Sequence, residues 1–76
     1  MSMRNRKAST HPIILTDGNF DMKVGENALI LVDFWADWCM PCQMMAPVFE
    51  HLAEKYAGRI AFAKLNVDEN VETARR

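Results

Sequence analysis

No stretch of this chain reaches the run of about 18 apolar residues that a bilayer span needs. Nor does an apolar signal core follow the early basic residues Arg4, Arg6 and Lys7. Together these absences make the cytoplasm the expected location and argue against a membrane partner. The sequence also has no internal repeat, no low-complexity segment and room for only one small domain. Cysteine is scarce, with two in 76 residues, Cys39 and Cys42. In a reducing compartment such a pair is no structural staple, and a disulfide closing so small a loop would restrict the unfolded chain little. Chemistry is the better explanation of the pair.

Charge of one sign is also missing. The formal net charge is -1, and because the first ten residues carry three cations and no acid, the remainder stands at -4. A nucleic-acid surface is therefore not expected. Residues 1–11 read as a disordered or tag-like basic tail, and residues 12–76 as the domain. Hydrophobic residues make up 50% and charged residues 25%, which places the chain with globular proteins and away from disordered ones. A core must form, although a chain this short buries only a little more than the roughly 60% of surface expected of a 60-residue domain.

The apolar pattern gives an alternating α/β order. "PIILT" (12–16) reads as a short β-branched strand, and "NFDMKVGEN" as one or two helical turns ending at Gly25. "ALILVDFWA" (28–36) is almost continuously apolar, as expected of a strand covered on both faces inside a parallel sheet. Met45, Val48, Phe49, Leu52, Ala53 and Tyr56 recur at helical spacing, and Gly58 follows as a stop. "RIAFAKLNV" (59–67) is a third strand, and Asp68 is placed to cap a last helix over "ENVETARR". The expected order is β-α-β-α-β-α. Three strands and three short helices can barely supply the cover that strand 28–36 wants, so an exposed apolar edge that invites pairing with another chain is expected.

Cys39 falls where the apolar strand gives way to the helix. Unpaired N–H groups and the helix dipole favour an anion there, which should lower the pKa of Cys39 below the usual value of about 8.5. Pro41 is tolerated because first-turn N–H groups have no helical acceptor to lose. Residues three apart share a helix face, so both sulfurs can come within disulfide distance. Cys39 could then attack a substrate disulfide and Cys42 resolve the mixed disulfide. Asp33 is a carboxylate inside the most apolar run. Burial would raise its pKa and make it a proton acceptor for a buried thiol, while strand alternation could equally point it to a polar edge. Lys64 on the next strand is either its charge partner or simply solvated.

A metal module is the competing reading. Cys39 and Cys42 supply two of the four ligands of a tetrahedral site, so two copies sharing their pairs could hold zinc or an iron-sulfur cluster. His11 in the tail and His51 on a solvent-facing helix position add nothing to it, and no metal ligand set is assigned within one chain.

The segment "LVDFWADWCMPCQMMAPVFEHLAEKYAGRIAFAKLNVDEN" resembles the first part of the thioredoxin family, through W-C-x-P-C with V-D-F-W-A before it and A-P-x-x-x-x-L-A after it. The resemblance runs from about Ile13 to Thr73. It implies a thioredoxin-like fold of three largely parallel strands in βαβαβα order, lacking the family's last two strands and last helix. It further implies a thiol-disulfide oxidoreductase that reduces protein disulfides and takes electrons from a thioredoxin reductase. No bound cofactor would be needed beyond a redox-active Cys39-Cys42 disulfide. In this reading Cys39 attacks, Cys42 resolves, Asp33 assists proton transfer with Lys64 nearby, Trp38 shields the site, Trp35 packs beneath it and Pro47 bends the helix. Trp38, Met40 and Pro41 would face substrate.

Two departures stand out. Met40 occupies a position where the family usually has Gly, which bears on substrate access and redox potential. No segment here matches the family's later loop with its cis-proline, nor the strands that flank strand 28–36. That leaves two further expectations for the same chain: self-association through the open edge of strand 28–36, and an interaction fragment that is catalytically silent alone.

Overall fold

The computed structural model describes residues 10–76; most of the expected basic tail lies outside the described residues. Six elements follow in the order β1 (Ile13–Leu15), α1 (Phe20–Gly25), β2 (Ile30–Trp35), α2 (Met40–Lys55), β3 (Ala61–Asn66) and α3 (Val71–Ala74). The three strands form one parallel sheet in the order β1-β3-β2, with β1 and β2 each paired to β3. The architecture is thus the α/β arrangement that the alternating pattern implied.

The centre of the sheet is not where the apolar run placed it. β3 is the central strand, and β2, the more continuously apolar one, lies at the edge with a single neighbour. Two cross-strand registers explain how each face is used. Ile13 and Leu15 pair with Ala63 and Leu65, and Ile30 and Val32 with Ala61 and Ala63, so these side chains share one face. There Leu15, Ala63 and Leu65 are fully buried, with Phe20 of α1 packed against them. On the other face, Phe62 of β3 meets Phe49 and Ala53 of α2, with the Phe49 and Phe62 rings edge to face at 5.2 Å. The apolar stripe of α2 is only half used. Phe49 and Ala53 are buried, whereas Met45 and Val48 are 51% and 46% exposed.

Turn chemistry fixes the connections. Gly58, at φ 86°, takes the left-handed conformation that ends the turn after α2, where the Arg59 and Ile60 amides both donate to the Tyr56 carbonyl. Asn19 closes the turn after β1, accepting from the Thr16 amide at 2.7 Å and donating to the Ile14 carbonyl at 3.1 Å. The last helix is capped from a distance. Asp17, in the β1–α1 turn, accepts from the Thr73 amide at 2.8 Å and the Glu72 amide at 3.4 Å. Asp68 does not serve as this cap; Asn70 is the N-cap residue, and the Glu72 and Thr73 amides of the first turn are satisfied by the carboxylate of Asp17. Asn70 joins the same lock, accepting from the Asp17 amide and donating to the Asn66 carbonyl.

Candidate active site

The site is built at the junction of β2 and α2. β2 ends at Trp35, buried Ala36 follows, and the chain turns through Asp37 and Trp38 before α2 begins at Met40. The turn is held by the Ala36 carbonyl, which accepts from the Cys39 amide at 3.2 Å and from the Gln43 side chain at 3.3 Å. Cys39 is then the N-cap of α2 in extended conformation, with Pro41 in the first turn, where its missing N–H leaves no acceptor unpaired.

Cys39 and Cys42 are joined as a disulfide, with their Cα atoms 5.2 Å apart. The Cys42 amide also donates to Sγ of Cys39 at 3.3 Å, so a sulfur occupies the place where a Ser or Asp side chain ordinarily caps a helix. That position carries the partial positive charge of the helix N-terminus, which favours a thiolate once the disulfide is opened. Both cysteines are half-buried, whereas Trp38, Met40 and Pro41 are exposed, Trp38 and Met40 at 71% and 69%.

Asp33 and Lys64 come together only in part. They are direct partners in the β2–β3 register, and both are half-buried. No ion pair joins them within 4.0 Å among the described residues; the Lys64 ammonium instead lies 5.2 Å from the centre of the Trp35 ring. Of the two expectations for Lys64, charge partner of Asp33 or solvated side chain, neither describes it fully: it is half-buried with its ammonium over an aromatic face. Asp33 shares its face with Trp35 and Lys64, the side of the sheet on which α2 packs.

Two contacts at the site were not expected from the sequence. Trp38 donates its indole N–H to the Asp68 carboxylate at 2.8 Å across 30 residues of chain, and Gln43 braces the turn through Ala36. The first contact depends on the tertiary pairing that brings the ends of β2 and β3 together, the second on the local turn between β2 and α2. Among the described residues no group of three or more His, Cys, Asp or Glu comes together as a metal site. His51 is exposed on α2, and His11 lies 3.7 Å from Glu50. No helix among the described residues is long and apolar enough to cross a membrane.

A parallel α/β sheet with a Cys-x-x-Cys disulfide at a strand-to-helix junction defines a thioredoxin-like dithiol-disulfide site. The comparisons with known proteins agree. The thioredoxin family model matches residues 11–76. The chain is 58% identical over 59 residues to the thioredoxin of Alicyclobacillus acidocaldarius subsp. acidocaldarius, a match covering 78% of this chain and 56% of the relative. It is 54% identical over 63 residues to the thioredoxin of Thiocapsa roseopersicina, covering 82% and 69%. The solved structure of a mutant thioredoxin from Halobacterium salinarum NRC-1 superposes with a TM-score of 0.77 at 42% identity, over 87% of this chain and 57% of that one. The chain belongs to the thioredoxin family. It spans a little over half the length of several of these relatives.

Proposed function

We propose that this chain is a protein-disulfide oxidoreductase working through Cys39 and Cys42. The observation that carries this reading is the position of Cys39, whose sulfur caps α2 and accepts the Cys42 amide while bonded to the Cys42 sulfur. In the reduced form the Cys39 thiolate attacks one sulfur of a substrate disulfide. A mixed disulfide forms, and the second substrate sulfur leaves as a thiolate that takes up a proton. Cys42 then loses its proton, with Asp33 as acceptor, and attacks Sγ of Cys39. The intramolecular disulfide closes, the substrate's remaining sulfur departs as a thiol, and two electrons have passed from the pair to the substrate.

Trp38, Met40 and Pro41 form the substrate-facing rim in this scheme, and Lys64 positions Trp35 beneath it. Electrons return from a thioredoxin reductase, which places the chain in electron transport and cellular redox homeostasis in the cytoplasm, with protein disulfides as substrates. No bound cofactor is required.

The deciding assay is turbidimetric reduction of insulin by dithiothreitol in the presence of the chain. Catalysis that disappears in Cys39→Ser supports the assignment. Undiminished turnover in that variant, with native circular dichroism, removes it.

A further inference from the structure

We propose that Asp17 and Gly18 form a spontaneous modification site: the turn between β1 and α1 converts to an isoaspartyl linkage, which releases α3, and the docking of α3 on Asp17 restrains the reaction. The inference is independent of the chemistry at Cys39 and Cys42.

The first observation is the pairing itself. Of the five aspartates, Asp17 alone is followed by glycine, and no asparagine is. A following residue without a Cβ leaves its amide nitrogen least hindered for attack on the aspartyl side chain. Second, that nitrogen is uncommitted. The amides on either side are bonded, Asp17 to Oδ1 of Asn70 at 2.9 Å and Asn19 to the Thr16 carbonyl at 3.2 Å, whereas the exposed Gly18 N–H donates to no acceptor among the described residues. Third, the carboxyl group is held by a weak element. Oδ1 of Asp17 accepts from the Thr73 amide at 2.8 Å and Oδ2 from the Glu72 amide at 3.4 Å. The Thr73 hydroxyl and amide keep the group ionised, and a carboxylate is a poor electrophile. However, α3 is a single turn of four residues, too short to hold itself together, so it opens locally more readily than the sheet does. Each opening frees the carboxyl group beside the uncommitted amide.

The step is a dehydration followed by a hydrolysis. The Gly18 nitrogen bonds to Cγ of Asp17, the Cγ–OH bond of the protonated carboxyl breaks, and the hydroxyl leaves with the amide proton as water. Water then opens the succinimide. Addition at Cγ restores aspartate; addition at the α-carbonyl leaves the main chain running through Cβ and Cγ, with a free α-carboxylate. Nothing is oxidised or reduced. The main chain gains a methylene and the carboxylate loses one, so it no longer reaches the two amides that it capped.

The test is ageing of the oxidised 76-residue chain at neutral pH, with isoaspartate counted by enzymatic methyl esterification of the isoaspartyl carboxylate and placed by peptide mapping. Isoaspartate is expected at residue 17, more slowly than in the guanidinium-unfolded chain. Asn70→Ala, which removes the acceptor of the Asp17 amide, should speed it by about fivefold, the factor that one net hydrogen bond is worth. Gly18→Ala should suppress it at an unchanged urea midpoint, because a Cβ there meets only Oγ1 of Thr16 at an ordinary 3.7 Å. A native chain that stays free of isoaspartate while the unfolded chain converts overturns the site. Equal rates in the native chain and in Asn70→Ala, both with native circular dichroism, overturn the restraint by α3; where that variant loses its fold, Thr73→Val, which removes only the hydroxyl contact, makes the same comparison. In the purified isoaspartyl form the Thr73 amide should exchange with solvent faster than in the native chain, and an unchanged rate overturns the release of α3.

Discussion

Trp38 and Asp68 are 30 residues apart in sequence and 2.8 Å apart in space, the indole N–H of one donating to the carboxylate of the other. The bond ties the residue that precedes the cysteine pair to the loop after β3, and so fixes the orientation of an otherwise exposed aromatic ring beside the disulfide. Replacing Asp68 with Ala should cost less than about 1 kcal/mol in stability, since the bond is exposed to water. The larger effect should fall on Trp38: its indole proton should exchange faster with solvent by NMR, and insulin reduction should slow by less than about tenfold, the kinetic equivalent of losing up to about 1.4 kcal/mol of orientation. An unchanged indole exchange rate would show that the ring is held by something else.

Asp17 is a titrating cap. Its hydrogen bonds to the Thr73 side chain and amide, with the Glu72 amide and the charge of Arg76 adding to them, hold its pKa below the ordinary value of 3.8. A carboxyl whose folded pKa is depressed stabilises the fold above the unfolded value, and that contribution is lost as pH falls through the folded value. The urea midpoint should therefore drop between pH 5 and pH 2. Asp17→Asn, which keeps an acceptor but no charge, should be less stable at pH 7 and show a shallower acid decline. Equal acid slopes in the two proteins would remove Asp17 from the account.

The strand and helix order was legible because each element carries its own period and punctuation: continuous apolar residues in 28–36, three-and-four spacing after Met45, and Gly58 at the stop. The cysteine pair was legible because its chemistry depends on local geometry alone. Which strand lies in the middle was not. Ala61–Asn66 includes Lys64 and Asn66 and looks less buried than Ile30–Trp35, yet β3 has two neighbours and β2 has one. Strand order is a long-range choice that no local pattern encodes. The same holds for Asp17 capping a helix more than 50 residues away and for Lys64 over Trp35 in place of Asp33. Each depends on how distant segments dock.

The edge position of β2 has a consequence in solution. Its outer side offers unpaired backbone groups, and Leu31 and Phe34 are 51% and 49% exposed on opposite faces of the strand. Such an edge pairs readily with a second copy. Sedimentation of the native chain should show mass rising with concentration, and Phe34→Lys should shift the distribution toward monomer at little cost to the fold, because the side chain is already half in water. A mass that stays the same in this variant would exclude the edge as the contact.

The last expectation concerns the cap sulfur itself. In the Cys42→Ser variant Cys39 is a free thiol at the N-cap of α2, and the amide of residue 42 remains available to donate to it. Both the helix terminus and that amide favour the charged form, while partial burial opposes it. Bonds to an anion at a helix start outweigh half-burial in cysteines of this kind, so the alkylation rate should titrate with an apparent pKa clearly below the free-thiol value of about 8.5. The measurement is iodoacetamide reactivity from pH 5 to pH 10 on the folded variant. A midpoint at or above the free-thiol value would mean that desolvation wins, and that Cys39 is not activated by the helix that it caps.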